Sequence, residues 1–131
     1  MDVSGGKTST KTHAVDTSGV TNPAPQAVYR AERYGNFTYT VPNLTPGISY
    51  TVRLHFAEVY WKAAGKRVFN VAINNTPVLR HFDIYAAAGG ANRAIVKEFT
   101  TTPNSSDAIS ITYTAVVNNA QSSGIEIVPA E

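Results

Sequence analysis

Tyr50-Thr51-Val52-Arg53-Leu54-His55-Phe56 decides the fold class. Large apolar residues at 50, 52, 54 and 56 alternate with polar residues at 51, 53 and 55. Successive side chains of a strand point to opposite faces, so this period of two predicts a strand with one face in a core. His55 then belongs to the outer face. The same period recurs upstream in Phe37, Tyr39 and Val41, and downstream in Phe69, Val71 and Ile73. It returns in Ile95 to Phe99, in Ile109, Ile111 and Tyr113, and in Ile125 and Ile127. Turn signals separate these runs: Pro42 to Gly47, Asn74-Asn75, Asn104 to Asp107 and Asn118-Asn119. A further short segment starts at Pro77, and Ala86 to Gly90 reads as a loop. Residues 1–26 are polar and turn-rich and read as an irregular arm with at most one short strand. About seven short strands with turns every 8–12 residues predict an all-β, antiparallel β-sandwich of jelly-roll-like form. Residues 1–131 are expected to form one domain.

Composition agrees. The chain has 14 Val and 8 Ile against 3 Leu, with 15 Thr and 7 Tyr, a mixture suited to pleated surfaces rather than packed helices. Its length suffices to bury a core without staples, and it has no cysteine, which excludes a disulfide framework, cysteine zinc sites and a thiol nucleophile. No apolar run approaches the roughly 18–20 residues of a membrane span. The N-terminal residues contain no apolar signal region, and no membrane partner is expected. The net charge of +2 comes from a small surplus and not from a patch, so nucleic acid is not an expected partner.

Candidate chemistry narrows quickly. Glu98 and Glu126 occupy outward strand positions and read as solvated. Glu32, between Arg30 and Arg33, reads as an ion-pair or backbone anchor. Glu58 precedes Tyr60-Trp61 and reads first as an anchor for its loop. No pair of carboxylates suggests a glycosidase, which needs two facing one cleft. His13, His55 and His81 lack metal-ligand spacing, and no cofactor is expected. There is no G-x-S-x-G elbow and no phosphate-binding glycine loop. Lys62, Lys66 and Arg67 lie near the aromatic loop but are too few for a nucleic acid platform.

The loop aromatics remain. Tyr60 and Trp61 follow the strongest strand where its alternation stops, Tyr34 precedes Gly35, and Tyr85 precedes the Ala-Gly stretch. An aromatic ring with a polar tip matches a sugar, whose C–H face packs on the ring while its hydroxyls need hydrogen bonds.

Several ordered motifs are specific. Val28-Tyr-Arg-Ala-Glu-Arg-Tyr34-Gly-Asn, Tyr50 to Trp61, Gly65-Lys-Arg-Val-Phe-Asn-Val, Phe82 to Gly90, and Val116-Val-Asn-Asn-Ala-Gln with Gly124-Ile-Glu-Ile together resemble the malectin domain family, from about residue 4 to 128. The resemblance implies a galactose-binding-like β-sandwich that serves as a carbohydrate-binding module. It implies glucose-containing oligosaccharides as ligands, and a secreted or cell-surface parent protein of the bacterial type. Carried over position by position, it implies that Tyr34, Tyr60 and Trp61 hold the sugar, with Asn118 where the family has an aspartate. Ser9 stands where the family usually has another tyrosine. Asn118 keeps an acceptor and adds a donor but lacks the charge, and Ser9 lacks a ring contact of about 1 kcal/mol. The family's usual N-terminal strand, with its Asn-Ala-Gly-Gly motif, has no counterpart here. An exposed ladder edge would then invite homo-oligomerisation.

Three functions follow, in order: a noncatalytic carbohydrate-binding module; a structural or assembly module, as an engineered or truncated scaffold with a weakened site; and a glycoside hydrolase.

Overall fold

The structure is a computed structural model and describes residues 1–130. Nine strands form two antiparallel sheets. The first contains β1 (Asp2–Thr10), β2 (Ala31–Val41), β7 (Ile109–Val117), β4 (Val68–Ile73) and β5 (Thr76–Phe82) in that spatial order, with β8 (Ala120–Ser122) also on β2. The second contains β6 (Ala94–Thr101), β3 (Tyr50–Ala57) and β9 (Gly124–Pro129). Two five-residue helices, α1 (Gln26–Arg30) and α2 (Ile84–Ala88), sit in the connections.

The alternation read from the sequence is the packing of the sandwich. Val52, Leu54 and Phe56 of β3 are fully buried against Phe37, Phe69, Val71, Ile111 and Tyr113 of the other sheet. Tyr113 is the aromatic centre: it stacks on Phe37 at 4.5 Å and meets Tyr39 edge-on at 5.8 Å. Burial pushes its phenol up beyond the range of ordinary titration.

Three expectations are corrected. Residues 2–10 are not irregular but form a nine-residue edge strand on β2. It was masked because nearly every side chain is exposed, so no apolar period marks it. Two glycines make its close approach workable. A Cβ on Gly5 would stand 2.4 Å from the Asn36 carbonyl oxygen and one on Gly6 2.9 Å from that of Tyr34; both have positive φ, and the register shifts between Gly5 and Lys7. Ala86 to Gly90 is not simply a loop: residues 84–88 make one helical turn, N-capped by the Asp83 side chain on the Ala86 N–H and closed by Gly89 in the left-handed region.

His55 is on the outer face of β3 as expected, but that face is not open there. The segment from Val15 to Arg30 folds over it, and Val15, Tyr29, Ala57, Val59 and Ala94 form a second, smaller core. The Tyr29 hydroxyl lies 2.8 Å from His55 Nδ1 and accepts from the Ala24 N–H, while Glu126 holds Nε2 at 2.5 Å. Burial raises the Tyr29 pKa. Glu98 is exposed as expected, whereas Glu126 is half-buried and engaged by His55; the two carboxylates bracket Arg53, at 2.7 and 3.0 Å.

Candidate functional site

The site is built on the Glu58–Arg67 segment, which joins β3 to β4. Its two ends are clamped to each other. Arg67 Nε donates to Glu58 Oε1 at 2.7 Å and Nη2 to Oε2 at 3.3 Å, with both residues buried. Glu58 Oε2 also accepts the backbone N–H groups of Tyr60 and Trp61, each at 3.2 Å. A buried carboxylate needs such donors, because burying an unpaired charge is costly. This fixes the backbone under both rings. At the far end of the segment the Gly65 N–H donates to Asp83 Oδ2 at 2.6 Å. Glu58 is thus the loop anchor expected from its position.

Arg67 reaches further. Nη1 donates to the Asn119 carbonyl at 3.0 Å, and Asn118 Nδ2 donates to the Lys66 carbonyl at 2.6 Å. These bonds tie the β7–β8 turn to the aromatic segment. Asn118 itself adopts φ 57°, a left-handed conformation that asparagine tolerates better than most residues. Glu32 of β2 lies 3.8 Å from Arg67 Nη2. The ion-pair reading of Glu32 holds, though its partner is Arg67 and not a sequence neighbour. Because Arg67 is committed below the surface, the basic cluster expected near this loop reduces to Lys62 and Lys66.

Above this network lies a cleft of about 320 Å³ lined by Ser9, Lys11, Glu32, Tyr34, Tyr60, Trp61, Arg67, Asn118 and Asn119. Tyr34, Tyr60, Trp61 and Asn118, chosen from the sequence, therefore meet in one place although they come from three separate segments. Ser9 joins them from β1. Tyr85 is not part of the lining. Tyr60 is 59% exposed, an unusual state for a large aromatic residue. Trp61 packs edge-on against it, with centroids 4.8 Å apart, and the Lys11 ammonium sits 5.6 Å from its ring centroid.

Sequence reasoning missed Glu32, Arg67, Lys11 and Asn119 as lining residues. Glu32 could have been found, since it stands two residues before Tyr34 on the same strand face. Arg67 could not, because its role depends on a loop closing on itself. Burial raises the Glu32 pKa, with Arg67 as the main opposing influence. Among the described residues no group of three or more acidic, histidine or cysteine side chains could hold a metal ion, and no helix is long and apolar enough to cross a membrane.

Fold and cleft define a β-sandwich with an aromatic-lined site at the ends of its strands. The family profile described as "Malectin domain" matches residues 2–129, and the chain belongs to that family. The chain is 34% identical over 107 residues to the kinesin-like protein KIN-14E of Oryza sativa subsp. japonica, covering 76% of this chain and 10% of that protein. It is 39% identical over 70 residues to malectin of Homo sapiens, covering 52% of this chain and 24% of malectin. The crystal structure of the ANXUR2 extracellular domain from Arabidopsis thaliana superposes with a TM-score of 0.85 at 23% identity, covering 99% of this chain and 41% of that one. The chain thus spans a quarter or less of these two relatives' length.

Proposed function

We propose that this domain is a noncatalytic carbohydrate-binding module whose ligand is a glucose-containing or related oligosaccharide. The observation that carries the reading is the convergence of Tyr34, Tyr60, Trp61 and Asn118 on one cleft, with the exposed Tyr60 and the half-buried Trp61 at its rim. Tyr60 and Trp61 offer apolar faces for sugar C–H groups, and their backbone is held by Glu58, so little ordering is required on binding. Asn118 has committed its amide N–H to Lys66 and keeps its side-chain oxygen as an acceptor. Hydrolysis is not favoured: Glu32 is the one carboxylate lining the cleft, while Glu58 is saturated beneath it. A secreted or cell-surface parent fits the extracellular ANXUR2 neighbour. A bacterial parent draws no support from these plant and animal relatives.

The test is calorimetric titration with a panel of α- and β-linked glucose disaccharides, repeated with Trp61→Ala. Binding by the wild type that Trp61→Ala abolishes is expected. No binding, or binding that survives the substitution, would count against the reading.

A second reading, a structural or assembly module, is favoured by β1. It is an edge strand, solvent-exposed along almost its whole length, with Val3 39% exposed. Such an edge can pair with another chain. On this reading the mass in solution rises above that of the monomer at micromolar concentration; a monomer throughout contradicts it.

A further inference from the structure

The cleft contains an acid that its ion pair with Arg67 only half satisfies. Glu32 is only 6% exposed, yet its Oε1 is sealed from solvent without a hydrogen-bond partner. The nearest cation, Arg67 Nη2, stands at 3.8 Å, beyond hydrogen-bond distance. That guanidinium is already directed at Glu58 and the Asn119 carbonyl. Neighbouring Gln121 gives one amide N–H to the Ala57 carbonyl and eases the Glu32 charge from nearby without closing a bond to Oε1. Buried carboxylates ordinarily collect two or more donors, as Glu58 does, so Glu32 is a half-satisfied acceptor placed where a ligand would rest.

We propose that the Glu32 carboxylate is the hydroxyl acceptor at the floor of the cleft, taking a charge-assisted hydrogen bond from the bound sugar. This rests on the reading of the cleft as a sugar site. The charges around it select the donor. Lys11 and Arg67 offset Glu32 and Glu58, so the cleft is balanced, and a neutral hydroxyl fits better than an ammonium or a carboxylate. A hydroxyl bonded to an ionised acceptor forms one of the stronger hydrogen bonds available to a sugar site.

The experiment uses the glucose disaccharide that wild type binds best, with affinity measured by calorimetry from about pH 8 down to pH 4. Glu32→Gln keeps the shape and removes the charge. It should weaken binding roughly tenfold to a hundredfold at neutral pH, the effect of losing a hydrogen bond to a charged group. Wild-type affinity should fall on acidification as Glu32 takes up a proton, while the affinity of Glu32→Gln stays flat. The charged groups facing Glu32 are Lys11, Arg67 and Glu58, the last bound by four donors. The pH profile of the wild type decides the matter even where the variant is altered in stability. No binding of any disaccharide by the wild type sinks the reading of the cleft and the role of Glu32 with it. Binding that is equal in Glu32→Gln, with the same pH profile, sinks the role of Glu32 alone.

Discussion

Replacing Glu58 with alanine tests the clamp on which the cleft is built. The substitution removes the acceptor of four hydrogen bonds: two from Arg67, at 2.7 and 3.3 Å, and one each from the Tyr60 and Trp61 N–H groups at 3.2 Å. It also leaves the Arg67 guanidinium, in a residue only 4% exposed, facing a cavity. Four bonds to a charged group at about 1.5 kcal/mol each would sum to about 6 kcal/mol if they were additive. Arg67 keeps the Asn119 carbonyl and a more distant Glu32, which reduces the sum. Breaking one partner out of a buried ion pair costs about 3–5 kcal/mol, and that is the expected loss. For a domain between the size classes with known scaling, each kcal/mol lowers Tm by about 3–5 °C, so the fall should be roughly 9–25 °C. Thermal unfolding followed by circular dichroism measures it. Glu58→Gln keeps an oxygen for the two N–H groups and should lose less. Combined with Arg67→Met it should cost less than the sum of the two single changes, because the pair is removed together. A Glu58→Ala protein melting within about 2 °C of the wild type would refute the clamp.

Three further outcomes follow from the same structure. Gly5→Ala places a Cβ 2.4 Å from the Asn36 carbonyl oxygen at a residue with φ +82°, so β1 must shift; a loss of more than about 1 kcal/mol in urea unfolding is expected. Tyr29→Phe removes the hydroxyl joining the Ala24 N–H to His55 and should cost about 1–2 kcal/mol, with faster amide exchange in residues 15–30. Burial raises the Glu32 pKa in the folded state, so the folded protein binds that proton more tightly than the unfolded chain. The group favours folding below its unfolded pKa, and that contribution disappears as pH rises through the folded value. Glu32→Gln should therefore gain stability relative to the wild type as pH rises above about 4, the ordinary carboxylate value, and a pH-independent difference would contradict this.

The sandwich was legible because alternation is a direct image of burial. Tyr50 to Phe56, Phe69 to Ile73 and Ile109 to Tyr113 each carry their core face in the letters. β1 was not legible, since an exposed edge strand held by backbone bonds and two glycines leaves no apolar period. His55 was assigned to the correct face but not to its burial, which depends on Tyr29 folding over from 26 residues away in sequence. In the cleft, aromatic rings at strand ends could be picked out locally. The Glu58–Arg67–Asn119 connections could not, because side-chain bonds between distant turns have no spacing rule.

Trp61 is the only tryptophan, so its fluorescence reports from within the cleft itself. Titrating glucose disaccharides while following that emission tests the central claim most directly. A saturable change in intensity or wavelength that disappears in Tyr34→Ala is predicted. Emission unchanged by every disaccharide up to tens of millimolar, roughly the weak limit for a site of this size, would contradict it.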